Sequence, residues 1–202
     1  MAIVHHSAVM LERIFAALWA GWGISWFIAA AWRDRAVKSP ARGSQLTYRL
    51  TTALGAVLLF RPAARLFPHE PRLWATSESV AWVMAAVTAA GLAFTWWARI
   101  ALGRLWSGAV TRKAGHHVVD TGPYRLTRHP IYSGIMLAAL ATMLSIGRVS
   151  AMAGTALIWI GLYLKARLEE QFLREELGPS YDEYARRVPM LVPRVRSSPR
   201  ST

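Results

Sequence analysis

The chain has no cysteine. Disulfides, thiolate nucleophiles and Cys-ligated metals are therefore excluded. Charge is also scarce: 17% of the 202 residues are Asp, Glu, Lys or Arg, against about 25% in an average soluble domain. Acidic residues are the scarcest, 11 against 24 Lys and Arg, for a net charge of +13. Internal repeats and low-complexity tracts are missing as well. What is abundant is apolar surface: 54% apolar residues, ten tryptophans and a positive mean hydropathy of +0.26. A disordered chain, a coiled coil and a soluble nucleic-acid module are excluded. In a membrane protein the basic excess reads as topology and contact with anionic lipid, not as nucleic-acid binding.

A bilayer core of about 30 Å needs about 20 apolar helical residues. Residues 14–32 and 79–98 are charge-free runs of that length. Residues 50–60 are apolar but short, and need 46–48 to extend them. Residues 131–146 and 149–164, joined by Gly147-Arg148, read as a tight helical hairpin with Pro130 at its start. The expected fold is all-α and integral to the membrane, with about five transmembrane helices and a cytoplasmic pocket. Three spans fill 1–98, a core fills 99–193, and 194–202 is a loose basic tail. The segments 33–49, 99–130 and 165–202 hold 19 of the 24 Lys and Arg. The positive-inside rule then puts the N-terminus outside and the C-terminus in the cytoplasm. Trp32, Trp74, Trp96 and Trp97 lie near span ends, as an interfacial belt requires. The first run, rich in Trp and followed by Arg33 and Arg35, reads as a retained anchor and not a cleaved signal. Gly21-x-Gly23 reads as helix packing.

The spans carry almost nothing ionisable, which argues against a transporter. Polar residues gather instead in 99–130 and 165–193, flanking the hairpin. The densest string runs from His116 through Val118, Val119, Asp120, Thr121, Gly122, Pro123 and Tyr124 to Arg128, His129, Pro130, Tyr132 and Gly134. It reads as a loop with a Gly-Pro turn, then a helix start whose free amides favour an anion. Histidine and tyrosine add ring faces and hydrogen-bonding groups, and Arg128 suits a carboxylate or phosphate. Such a set fits a ligand with a carboxylate, a ribose and a heteroaromatic ring. The plainer alternative is interfacial snorkelling. Residues 165–178 read as a helix with Leu164, Leu168, Phe172 and Leu177 on one stripe and Gly178-Pro179 as its stop. Arg167, Glu170 and Arg174 share the other face, either as a solvated ion-pair ladder or with Glu170 facing a pocket and Arg167 holding an anionic substrate. The aromatics and prolines of 181–193 suggest a short helix and an extended stretch packing back on the site.

The string His116-x-Val118-Val119-x-Thr121-Gly122-Pro123-Tyr124, then Arg128-His129-Pro130-x-Tyr132-x-Gly134, resembles the isoprenylcysteine carboxyl methyltransferase family. Glu169-Glu170-x-x-Leu173, Gly178-x-x-Tyr181-x-x-Tyr184 and Arg187-Val188-Pro189 follow in that family's order. The resemblance covers about 99–193. It implies S-adenosyl-L-methionine as cofactor, bound outside any Rossmann domain, with His116, Val118, Val119, Gly122, Tyr124, Arg128, His129, Pro130, Tyr132 and Glu170 as contacts. It implies Glu170 as the acidic residue closing the pocket and a basic residue aligning the acceptor. Lys165 and Arg167 compete for that role. Arg167 is preferred because a planar fork suits a carboxylate. No metal site is assigned. The leading expectation is methyl transfer to a lipid-like, prenylcysteine-type carboxylate. A phospholipid amine, a thiol, a nicotinamide-dependent reductase and a non-catalytic scaffold stay open, as does the oligomeric state.

Overall fold

In the computed structural model the described residues are 2–29, 42–60, 70–103, 106 and 118–193. They form six α-helices and a 3-10 turn with no strand among them: α1 Ala2–Ala29, α2 Arg42–Phe60, α3 Glu78–Leu102, the turn Gly122–Arg125, α4 Pro130–Ile146, α5 Val149–Leu177 and α6 Pro179–Arg187. His116, Trp32 and the 194–202 tail lie outside the described residues.

Helix ends follow local chemistry. Ser77 caps α3 by accepting from the Val80 amide, with Glu78 in the first turn. Pro130 and Pro179 open α4 and α6 where a missing N–H costs nothing. Gly147, at φ 66°, turns α4 into α5. The segment before α3 closes that turn. The Leu73 amide donates to the Gly147 carbonyl, Trp74 Nε1 to the Leu144 carbonyl and Ser150 Oγ to a Glu70 carboxylate oxygen. The orphan groups at the two helix ends thus find partners.

Two expected boundaries change. α2 does include 46–48, so the short second run becomes a 19-residue helix. The stretch 165–177 is not a separate helix: α5 runs 29 residues without a break, because no Gly or Pro interrupts it between Lys165 and Gly178. Its expected stripe also shifts, with Leu164 exposed while Ala166, Glu170 and Phe172 are buried. Among the described residues, α3 and α5 are each long and apolar enough to cross a bilayer, and α4 is a shorter apolar helix.

The helices alternate in direction. α1 runs beside α3, with Trp22 Nε1 donating to Thr95 Oγ1 and Arg99 Nη2 to the Ala29 carbonyl. Trp96, expected in an interfacial belt, donates inward to Ser25. α3 packs on α4 and α2 on α5, each antiparallel, through facing glycines. A Cβ on Gly55 would lie 2.7 Å from the Gly154 carbonyl oxygen, and one on Gly154 2.6 Å from that of Gly55. Gly91 and Gly134 oppose each other in the same way. Such close approach of small residues is how helices associate where solvent supplies no hydrophobic drive. Gly21 and Gly23, expected to pack similarly, face open space: a Cβ at either position would meet nothing within 4 Å.

Gly154→Ala should therefore destabilise the protein by about 1–3 kcal/mol through overpacking. Gly21→Ala should stabilise it by about 0.5–1 kcal/mol through helix propensity alone. Thermal unfolding in detergent checks both, and equal stabilisation by the two would refute the close α2–α5 contact.

Candidate active site

The site forms where the lead-in to α4 meets the last turns of α5. Residues 188–191 follow α6 as a strap, extended at Val188, that pairs with this lead-in. The Arg128 amide donates to the Pro189 carbonyl at 2.9 Å and the His129 amide to that of Met190 at 3.1 Å. Thr127 Oγ1 and Ser133 Oγ donate to the Met190 and Leu191 carbonyls. Backbone groups that a helix start leaves unpaired are thereby satisfied by the chain's far end.

Arg128 ties three segments together. Its Nε and Nη2 lie 2.7 and 2.6 Å from Glu170 Oε1, and its Nη1 donates to the Ala185 and Val188 carbonyls. The two side chains are 10% and 5% exposed, so the pair is desolvated and its bonds are charge-assisted. Arg174, 47% exposed, approaches Glu170 Oε2 at 3.6 Å and reaches Asp182 on α6.

His129 stands between two carboxylates. Its Nδ1 is 3.4 Å from Glu169 Oε2 and its Nε2 3.3 Å from Glu170 Oε1. An ionised carboxylate only accepts, so this arrangement favours the protonated ring, which can donate from both nitrogens. Burial works against that charge, but the hydrogen bonds and charges of Glu169 and Glu170 outweigh it and raise His129 above its ordinary value. The ring stacks on Tyr132 with centroids 5.3 Å apart and planes nearly parallel. The Tyr132 hydroxyl donates to Glu169 Oε1 at 2.6 Å. Lys165 lies 4.0 Å from Glu169, and its ammonium sits over the rings of Tyr132 and of Tyr48 on α2.

A groove of about 710 Å³ opens beside this cluster, lined by Tyr48, Leu164, Arg167, Leu168, Glu170 and Arg174 among others. Glu170 belongs to both: Oε1 faces the buried network and Oε2 the side of Arg174.

Residues 82–175 match the model of the isoprenylcysteine carboxyl methyltransferase family. A probable protein-S-isoprenylcysteine O-methyltransferase of Oryza sativa subsp. japonica is 33% identical over 143 residues, covering 66% of this chain and 69% of that protein. The chain belongs to the isoprenylcysteine carboxyl methyltransferase family. Protein-S-isoprenylcysteine O-methyltransferase B of Arabidopsis thaliana is 34% identical over 85 residues, which are 42% of this chain and 43% of that one. Methanethiol S-methyltransferase 2 of Bradyrhizobium diazoefficiens is 33% identical over 184 residues, 77% of this chain and 62% of that one. The chain thus spans about two fifths to about two thirds of the length of these relatives.

The family's string folds largely as one unit. Arg128, His129, Pro130, Tyr132 and Glu170 converge. Tyr124 is buried in the core beside Ile131 and Tyr132, and its carbonyl accepts the Tyr184 hydroxyl. Gly122, at φ 55°, makes the turn before it. Val118 packs with Tyr181, Tyr184 and Val188, whereas Val119 joins the main core. His116 is outside the described residues. Arg167 is not brought to the cluster: it is exposed and lines the groove. Lys165, its rival, is the cation lodged among the cluster's aromatic rings. Sequence reasoning does not single out Glu169 or Tyr48 as site residues. Glu169 sits next to Glu170, and helical spacing assigns neighbours to different faces; only His129, wedged between them, makes both part of one site. Tyr48 carries no local signal at all.

Removing Arg128 leaves Glu170 buried without its main counter-charge, so Arg128→Met should cost about 3–5 kcal/mol. Arg174→Ala, at a solvent-screened contact, should cost under about 1 kcal/mol; denaturant unfolding distinguishes them. His129 also sets a pH dependence. Its folded value is raised, so its stabilisation is fully present below the unfolded value of about 6.5 and is lost as pH rises through the folded one. The melting temperature should fall across that interval, and His129→Gln should flatten the profile.

Proposed function

We propose that this chain is an integral-membrane, S-adenosylmethionine-dependent methyltransferase that methylates the carboxylate of a lipid-like, prenylcysteine-type acceptor. Membrane residence is supported by the apolar α3 and α5 and by large apolar side chains exposed along the bundle, including Phe27, Ile28, Leu50, Leu54, Val83 and Ile160. Basic residues divide between its ends: Arg72 and Arg148 near the α4–α5 turn, Arg125, Arg128, Arg167, Arg174, Arg186 and Arg187 near the site. That division supports five spans with the site end in the cytoplasm and the N-terminus outside.

The residues present suit the cofactor. Glu170 offers a carboxylate to a cationic centre in the groove, which has the size of a small-molecule site, and the buried rings of His129 and Tyr132 back that carboxylate. When bound, S-adenosylmethionine supplies a methyl group already electrophilic on sulfonium sulfur. Leu164, Leu168 and Tyr48 give the groove an apolar wall for a lipid acceptor, and Arg167 on its rim offers a planar fork to that acceptor's carboxylate.

One observation carries the choice of acceptor. Among the described residues of the cluster no base is uncommitted. His129 has both nitrogens against carboxylates, Glu170 Oε1 is held by Arg128 and His129, and Glu169 by Tyr132, His129 and Lys165. A site of this kind suits an acceptor that is already an anion and needs alignment and desolvation but no proton removal. A thiol acceptor is the second reading, because methanethiol S-methyltransferase 2 aligns along 77% of the chain. It would need a proton acceptor.

Methyl-labelled S-adenosylmethionine, supplied to the detergent-solubilised protein with a prenylcysteine, its carboxamide, methanethiol and phosphatidylethanolamine, separates these readings. Label should enter only the free carboxylate, as an alkali-labile ester, and Arg167→Ala should raise the acceptor KM about tenfold, the loss of one charge-assisted contact. An alkali-stable thioether would replace the first reading with the second. No transfer and no cofactor binding would overturn both.

A further inference from the structure

Glu169 and Glu170 are adjacent buried carboxylates with different work. Consecutive helical residues point about 100° apart. Glu170 faces Arg128, whose Nη1 grips the Ala185 and Val188 carbonyls, and so belongs to the strap. Glu169 is tied elsewhere. Its Oε1 takes the Tyr132 hydroxyl at 2.6 Å, its Oε2 lies 3.4 Å from His129 Nδ1, and Lys165 approaches at 4.0 Å. These partners come from the α4 lead-in, from α4 and from α5 itself. Lys165 extends the chain of contact to α2 by lying over Tyr48.

We propose that Glu169 is a positioning residue: its buried carboxylate fixes the His129 ring, the Tyr132 hydroxyl and the Lys165 ammonium in one arrangement behind the groove, and thereby, through His129, holds Glu170 on the groove wall offered to the methyl donor, while Glu170 also secures the strap. The part concerning the donor rests on the methyltransferase reading; the part concerning the ring and the ammonium does not.

The geometry explains why one carboxylate serves three groups. Without Glu169 the Tyr132 hydroxyl and His129 Nδ1 would be buried donors deprived of this acceptor, and the Lys165 ammonium would lose the carboxylate beside its two aromatic faces. Glutamine in its place has the same shape and still accepts from Tyr132, but carries no charge. The other charged or titratable groups facing this region are Glu170 on α5, Arg128 in the lead-in, Tyr124 in the 3-10 turn, Tyr48 and Arg49 on α2 and Tyr181 on α6.

The test is histidine-resolved NMR titration of the full chain in detergent, with His129 assigned by its loss in His129→Gln, together with calorimetric binding of S-adenosylmethionine and melting temperatures. Glu169→Gln should lower the His129 midpoint by about one unit or more, a tenfold loss of proton affinity. It should weaken cofactor binding about tenfold and lower the melting temperature less than Glu170→Gln does. An unchanged midpoint, or identical behaviour of the two variants in all three readings, overturns the proposal. If Glu169→Gln does not fold, Lys165→Met serves in its place. Removing that cation should raise the His129 midpoint, and no movement overturns the linkage through Glu169. A wild-type chain that binds no S-adenosylmethionine overturns the methyltransferase reading, while the titration still decides what Glu169 holds.

Discussion

The ion pair between Arg128 and Glu170 is the contact on which the rest of the site depends. Burying either charge alone costs several kcal/mol, so each is tolerated only because the other is there. The guanidinium has donors to spare and directs them to two carbonyls at the end of α6. A pair formed between residues 42 positions apart therefore also closes the C-terminal strap over the helix start. With the strap in place, His129 is buried; with His129 buried, its two nitrogens find only carboxylates. The ring's raised proton affinity follows from these two carboxylates, which outweigh its burial, and not from the histidine itself.

Packing far from the site contributes in the same physical terms. The facing glycines of α2 and α5 let the two backbones touch, and only at that separation does Tyr48 reach the Lys165 ammonium. The apolar length of α5 and its charged last turns are one continuous helix, so the lipid-compatible part of the molecule and its polar network are rigidly joined. A greasy reactant held along the apolar part would have its polar end delivered near Glu170, where groove and network meet. The absence of an uncommitted base within the described cluster makes chemical sense for an acceptor that arrives ionised.

Much of this is legible in the residues. Long charge-free runs, the Gly147-Arg148 hairpin, Pro130 as a helix start and Gly178-Pro179 as a stop depend on local rules, and each appears in the fold. The convergence of Arg128, His129, Tyr132 and Glu170 is implied by the family's ordered motifs. Other features are not legible. Spacing puts Arg167 and Glu170 on one face, and both do line the groove, yet Glu170 is buried and tied to the strap through Arg128 while Arg167 stays exposed, a difference spacing does not show. Lys165 and Glu169 look like an ordinary surface pair at i and i+4, and become interior only when α2 and α4 pack over them.

Composition and motif order, on their own, determined an all-helical, apolar chain of this methyltransferase family with its polar motifs gathered around the last hairpin, since hydropathy, helix punctuation and motif order are local properties of the chain. The tertiary structure alone decided which carboxylate faces which partner, that His129 lies between two of them, and which basic residue lies inside, since desolvation and ion pairing depend on what is brought near in space from residues 40 to 60 positions away.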